Sequence, residues 1–385
     1  FATLNVVDLL VDDDLTVTDD VAIGGILGVT GAVNFAADVT FADGSDIITA
    51  SAGTSNFRAG VNAGNSIESG GNYNVVVGDE AGTAITTGDG NTAIGYQALE
   101  TATTASNNTA IGLSALRENT SGAQNTAVGR LSADALTEGS ANVALGNAAL
   151  TADTLGSFST AVGNSALGAQ NFTTATDTYN TAVGYNAGTL VTTGVRNTIM
   201  GGLAGDALTD ADRNVAMGHG ALSTDTLGSK SVALGYQALS TQNFTTATDS
   251  FNTAVGYQAG VGLTTGTRNT LIGSLAGDVM TVAPNNTAVG YGALGANTTG
   301  GGNVGLGYQA LTTMNVTNTS DTFNTGVGFQ AGLSVTTGVE NTLIGGLAGD
   351  AITTGYYNTA LGKDALTTNT LSSLNVAIGH SALKT

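Results

Sequence analysis

A nine-residue pattern of apolar, small and polar positions recurs along most of this 385-residue chain, and its form at Asn91 is NTAIGYQAL. The units open at positions 74, 91, 108, 125, 142, 159, 180, 197, 214, 231, 252, 269, 286, 303, 324, 341, 358 and 375. The step between these eighteen units is 17 residues, except for three steps of 21 that begin at 159, 231 and 303. A fixed step of this size is typical of an array of small stacked units. We therefore expect a repeat fold.

The positions within each unit predict one short strand followed by a sharp corner. Counting the opening residue as position 1, position 2 is Thr or Val and position 4 is Ile, Val, Leu or Met throughout. Position 3 is Ala in most units, position 5 is always Gly, and position 8 is Ala except at Ser132. Residues two apart on a strand share a face, so we expect positions 2 and 4 to fill the coil and position 3 to face outward. The glycine predicts a corner that leads into a second strand.

The fold class that follows is all-β: a parallel β-solenoid, or β-roll, with one coil per unit. No helical period of 3.6 residues is sustained in the sequence. At ~4.8 Å per coil, the array would form a rod roughly 85 Å long. The opening residue is usually Asn, which predicts a ladder of stacked, hydrogen-bonded amides.

A longer period is superimposed on the array from residue 159. Three steps of 17 and one of 21 give a 72-residue super-repeat, in the copies 159–230, 231–302 and 303–374. The four extra residues of each long unit fall at the same place, as in NFTTATDTYN at 171–180. We expect a Thr-rich loop there.

The N-terminal part of the chain differs from the array. Residues 1–55 contain short alternating runs broken by Asp and Gly, which predict a β-rich shaft or attachment segment with strands at 15–17, 21–23, 26–29 and 33–35. Residues 56–73 keep the register at Gly60 and Ala63 and predict a degenerate capping coil before the array at 74–385. Because the chain begins at Phe1 without Met, we expect a processed or truncated product.

Composition disfavours or excludes several classes of binding partner and site. The formal charge is −20, from 29 acidic and 9 basic residues, which disfavours nucleic acid and anionic membrane surfaces. No run of about 20 apolar residues is present, so we expect no membrane insertion. The absence of cysteine excludes a disulfide framework and a thiolate metal site.

Association is expected from the alanine pattern. Outward-facing alanines at position 3 would leave a long exposed apolar stripe along the rod, and such stripes usually mark an interface. Small side chains also allow neighbouring backbones to approach closely. We therefore predict that copies of this chain associate around a common long axis.

Few residues suggest chemistry, and we predict no enzyme activity, catalytic residue, cofactor or metal. His219 and His380 occupy position 6, which accepts many residue types and is therefore a surface position. Asp177, Asp249 and Asp321 stand one per super-repeat in the Thr-rich loops. They could serve a glycan-cleaving groove, but they would lie about four coils, or ~19 Å, apart, which is too far for a catalytic pair. We interpret them as turn-capping residues.

Aromatic residues at position 6 are the candidate contact site. They could stack against sugar rings of a host or cell-surface glycan, cover the corner glycines, or fill the trimer seam. These residues are Tyr96, Tyr185, Tyr236, Tyr257, Tyr291, Tyr308 and Phe329.

The NTAIG and NVAIG cores resemble the head repeats of trimeric autotransporter adhesins, and NTAIGYQAL-type units are similar to repeats of bacteriophage tail fibres. The segment DLTVTDDVAIGGILGVTGAVNF also resembles tail-fibre shafts. The resemblance implies a homotrimer, in which a left-handed parallel β-roll packs three chains around one axis, although adhesin heads usually have shorter coils.

The function we expect is a structural fibre that gives reach, stiffness and display. A virion or tail fibre involved in host attachment ranks first, and a bacterial surface adhesin or extracellular filament ranks second. A glycan-degrading tailspike and an ice-binding solenoid that uses the Thr ranks are further alternatives. The expected location is the virion or the cell surface.

Overall fold

The computed structural model describes residues 52–316 and 320–384, and the strands predicted between 15 and 35 lie outside this range. The described part is a parallel β-solenoid of nineteen coils, as the period predicts, and contains no helix. Each coil contributes one three-residue strand to a single parallel sheet. The first of these coils opens at Asn56, so the degenerate unit has the same strand as the regular ones.

The strands of the main sheet are β1 (Phe57–Ala59), β2 (Val75–Val77), β3 (Thr92–Ile94), β4 (Thr109–Ile111), β5 (Thr126–Val128), β6 (Val143–Leu145), β8 (Thr160–Val162), β10 (Thr181–Val183), β11 (Thr198–Met200), β12 (Val215–Met217), β14 (Val232–Leu234), β16 (Thr253–Val255), β17 (Thr270–Ile272), β18 (Thr287–Val289), β19 (Val304–Leu306), β20 (Thr325–Val327), β21 (Thr342–Ile344), β22 (Thr359–Leu361) and β23 (Val376–Ile378). Four two-residue strands lie outside it: β7 (Gly156–Ser157), β9 (Thr176–Asp177), β13 (Gly228–Ser229) and β15 (Thr248–Asp249).

The register places equivalent residues of successive coils beside each other. Ala93 pairs with Ala110, for example, and Thr92 pairs with Thr109. The short strands β9 and β15 lie in long units, and they pair in parallel with β7 and β13, which lie in the preceding 17-residue coils. The Thr-rich insertions are therefore tied back to the preceding coil.

The prediction of which strand face is buried was wrong. Position 3 is the interior position, as at Ala93, which is 0% exposed, whereas Ile94 at position 4 is 37% exposed. Position 2 is half-buried in every coil from β3 to β22. The reason is the narrow interior: Ala98 and Leu99 from the opposite wall are also fully buried, so only a small side chain fits beneath the strand. Alanine here marks close internal walls, and the larger branched residues point outward.

The second strand expected directly after the corner glycine is also absent from the described coils, since β7, β9, β13 and β15 lie later in their coils. Gln97 and Leu99, at positions 7 and 9, have φ values of 55° and 54°, which are incompatible with an extended strand. The Ala98 amide donates to the Gly95 carbonyl (3.3 Å) and closes a turn. Hydrogen bonding between coils continues nevertheless, because the Leu99 amide donates to Ala115 (3.0 Å).

The invariant glycine at position 5 is required by the stacking of the coils. Gly95 has φ +132°, and a Cβ built on it would lie 2.6 Å from the carbonyl oxygen of Gly112 in the next coil. An L-residue could neither adopt this conformation easily nor avoid the neighbouring backbone.

The predicted amide ladder is present. The Oδ1 atom of Asn74 accepts from the backbone amide of Asn91 (2.9 Å) and from its Nδ2 atom (3.1 Å). The same Nδ2 atom of Asn91 donates to the Ala105 carbonyl (2.8 Å). These buried amides satisfy backbone groups that the strands leave unpaired.

Candidate functional site

The aromatic residues at position 6 all lie on the outer surface, just beyond the corner glycine. Their exposed fractions range from 44% for Tyr236 to 60% for Tyr185. Position 6 of each coil lies beside position 6 of the next, because the register is strict. The structure therefore brings these side chains into one row that runs along the solenoid.

Two stacks of three rings form within this row. His219, Tyr236 and Tyr257 form the first, with centroid distances of 5.7 and 5.5 Å. Tyr291, Tyr308 and Phe329 form the second, with distances of 5.5 and 5.3 Å. The rings are within 14° of parallel in all four pairs. Offset stacking at these distances is favourable, so the rings keep one another in a defined orientation.

Small residues interrupt the row once per 72 residues. They are Gly202, Ser274 and Gly346, at position 6 of the coils that contain β11, β17 and β21. Ser274 lies between the two stacks, so Tyr257 and Tyr291 each have a stacking partner on one side only. The sequence showed the aromatic positions, whereas the interruptions become meaningful only in the stacked register.

A second surface is formed by positions 2 and 4, and we call it the outer strand face. It exposes large apolar side chains such as Met200, Leu234 and Leu306, each more than 40% exposed. None of the 36 positions of this face in the eighteen regular coils carries a charged residue, although the chain has 38 Asp, Glu, Lys and Arg residues. Charge depletion with an apolar centre is typical of the buried part of an interface.

The polar residues considered for chemistry remain separate. Asp177, Asp249 and Asp321 are exposed on three different long coils, and Asp249 forms an ion pair with Lys230. His219 and His380 are exposed, and the His380 ring lies 3.0 Å from the Ser381 hydroxyl. Within residues 52–316 and 320–384 no group of three or more His, Cys, Asp or Glu residues is arranged to hold a metal ion.

Buried and half-buried carboxylates are the feature that sequence reasoning missed. Burial raises the pKa of Asp206, Asp278 and Asp350, which occupy position 10 of the three coils that carry the small residues. Burial also raises the pKa of Asp153, although Gln170 and two backbone amides donate to its carboxylate. The 72-residue spacing of the first three was a visible signal in the sequence.

No helix in the described ranges is long and apolar enough to cross a membrane. Comparison with protein-family models, with curated proteins and with solved structures finds no match to this chain.

Proposed function

We propose that this chain is the subunit of a non-enzymatic, trimeric β-solenoid fibre that provides reach, stiffness and surface attachment. The single observation that carries the proposal is the outer strand face. It is long and uncharged, with an apolar residue at position 4 of every regular coil, and it belongs to a chain whose formal charge is −20. Exposing such a face along the whole rod would be unfavourable for a solitary chain in water.

The outer strand face replaces the alanine stripe as the contact between copies. A threefold arrangement buries this face of every copy around one axis and leaves the charged residues, none of which lies on this face, in solvent. The resemblance to trimeric adhesin heads and tail-fibre repeats favours three copies over two. A virion or tail fibre remains the first candidate, and a bacterial surface fibre is the second.

The experiment is a native mass measurement by sedimentation velocity, with variants on the outer strand face. The native chain is expected to sediment as a trimer. Ile272→Lys combined with Ile344→Lys places two cations on the face and is expected to release monomers, because a buried lysine would lack a partner. Asn164→Lys, at an exposed corner position, is the matched control and should leave the mass unchanged.

Other outcomes would contradict the proposal. A monomeric native mass would overturn it, and a monomer that also produced thermal hysteresis would favour ice binding by the outward threonines. Hydrolysis of a host surface polysaccharide by the purified trimer would contradict its non-enzymatic part.

A further inference from the structure

The gap at Ser274 has the geometry of one missing ring in a continuous stack. Tyr257 and Tyr291 lie on the coils before and after it, two coil rises apart, which is about 10 Å. A ring at the level of Ser274 would lie about 5 Å from each, inside the range in which aromatic rings stack favourably. The neighbouring stacks already use centroid distances of 5.3 to 5.7 Å.

The aromatic residues that precede the gaps are more exposed than those inside the stacks, whereas Tyr291, which follows the gap at Ser274, is 46% exposed. Tyr236 and Tyr308, each with a ring on both sides, are 44% and 45% exposed. Tyr257 and Phe329, at the ends facing the gaps, are 52% and 54% exposed. Tyr185 precedes the gap at Gly202 and is 60% exposed.

The backbone does not require small residues at the gaps. Gly202 and Gly346 have no positive φ, and a Cβ on Gly346 would meet no atom within 4 Å. A Cβ on Gly202 would be 3.6 Å from the His219 ring, which is an ordinary contact. Nothing in the fold prevents an aromatic residue there, in contrast to the glycines at position 5.

We infer that the gap between Tyr257 and Tyr291 is a binding slot for one pyranose ring of a neutral glycan. A related slot at Gly202 lies between Tyr185 and His219, and at Gly346 one wall is aromatic (Phe329) and the other is Lys363. A pyranose chair presents C–H groups on both faces and hydroxyl groups around its rim. In the slot between Tyr257 and Tyr291, the two aromatic faces would contact the C–H groups, and water would hydrate the hydroxyl groups. The inference rests on the proposed role in surface attachment and names its ligand class.

The spacing and the charge of the rod select the type of glycan. The slots recur every 72 residues, which is four coils or about 19 Å, so one repetitive polymer could engage several of them. The charge of −20 repels polyanions, which disfavours uronate-rich and sulfated polymers. Neutral homopolymers are the better match.

The test measures binding of oligosaccharides to the full chain by isothermal titration calorimetry. The probes are chitohexaose, maltohexaose and cellohexaose, with hexagalacturonate as the anionic comparison. At least one neutral probe is expected to bind. The variant Gly202→Tyr/Ser274→Tyr/Gly346→Tyr, which fills each slot with the residue used in neighbouring coils, should weaken binding at least tenfold.

Asn147→Tyr adds an aromatic residue at an exposed position 6 away from the slots, and its affinity should equal that of the native chain. Failure of all three neutral probes to bind would overturn the inference, as would equal affinity of the filled variant or tighter binding of hexagalacturonate. Native mass is measured on the same samples. A trimer without glycan binding therefore refutes the slot alone, and a glycan-binding monomer refutes the trimer alone.

Discussion

At the scale of single residues, two adjacent glycines have opposite roles. Gly345 at position 5 has φ +132°, and a Cβ on it would lie 2.5 Å from the Gly362 carbonyl oxygen. Gly346 has ordinary φ and open space where its Cβ would project. Stacking of the coils therefore requires glycine at Gly345 but not at Gly346.

This contrast gives the first prediction. Gly345→Ala should lower the free energy of unfolding by about 3 kcal/mol, because it combines a strained backbone with a backbone clash. Gly346→Ala should change it by less than about 0.5 kcal/mol. Urea denaturation followed by circular dichroism measures both, and equal effects would show that the position 5 glycine is not a steric requirement.

A polar relay replaces the amide ladder where the opening residue is serine. Asn180 donates to the Gln170 Oε1 atom (2.9 Å), and Gln170 Nε2 donates to Asp153 Oδ2 (2.5 Å) and to the Ser159 hydroxyl (2.8 Å). Asp225, Gln242 and Ser231 repeat this arrangement one super-repeat later. In the third copy the corresponding residues are Asn297, Met314 and Asn303. All three positions thus change together between the copies.

The relay has a direction, which yields a second prediction. Asp153→Asn would place an amide donor opposite the Gln170 donor, since Gln170 already uses its Oε1 atom to accept from Asn180. A buried unsatisfied donor costs about 1–3 kcal/mol, so the variant should be destabilised by that amount at neutral pH. The measurement is again urea denaturation.

The third super-repeat provides the control for this variant. Asp153→Asn/Gln170→Met/Ser159→Asn reproduces the residues at 297, 314 and 303, where the Asn297 side chain both donates to and accepts from Gly300. The triple variant should recover most of the lost stability. If it is no more stable than Asp153→Asn alone, the three positions do not act as one relay.

At the scale of the coil, the large side chain that fills the interior comes from position 12 in some coils and from position 9 in others. In seven of the eighteen regular coils position 9 is Gly and position 12 is Ile, Val, Leu or Met. In the coil that opens at Asn91 the arrangement is reversed, with Leu99 at position 9 and Ala102 at position 12, both fully buried. Three of the coils with Gly at position 9 also carry a large residue at position 3, namely Ile199, Leu271 or Leu343. The exchange between positions 9 and 12 keeps a constant packing density in the narrow interior, since in these coils a large side chain at one position accompanies a small one at the other.

A third prediction follows from this exchange. A Cβ on Gly349 would lie 2.6 Å from Leu343 Cδ2 and 2.9 Å from Ile352 Cδ1, so Gly349→Leu should destabilise the chain by at least 1–3 kcal/mol through overpacking. Adding Leu343→Ala and Ile352→Ala recreates the Ala93, Leu99 and Ala102 arrangement and should recover at least half of that loss. Thermal and urea denaturation of both variants measure this coupling. Additive losses would contradict the exchange.

The coil also shows where sequence reasoning succeeds and fails. The period, the strand and the Asn ladder follow from the spacing alone, because each depends only on which residues stack upon one another. The inward face does not follow, because Ala93 and Ile94 alternate equally well in either orientation. Residues across the coil decide it: with Leu99 inside, no room remains for a second large side chain from the strand. The gap at Ser274 was missed for a similar reason, since its two walls are 34 residues apart in the sequence.

At the scale of the whole molecule, repeated half-buried carboxylates make stability depend on pH. Burial raises the pKa of Asp206, Asp278 and Asp350 in the folded chain above the ordinary value that they have when unfolded. The folded state therefore binds more protons than the unfolded state between the two pKa values. Stability is highest below the ordinary pKa, falls as the pH rises through the raised pKa, and stays reduced above it.

The fourth prediction separates this effect from the general repulsion of a chain with a charge of −20. Asp206→Asn/Asp278→Asn/Asp350→Asn removes the three half-buried carboxylates and should unfold at higher temperature than the native chain at pH 7. Near pH 3 the gain should vanish, because the native side chains are then protonated. Asp79→Asn/Asp177→Asn/Asp321→Asn removes the same charge from exposed positions and should give a smaller gain at pH 7. Equal gains would mean that total charge, rather than burial, sets the pH dependence of the rod.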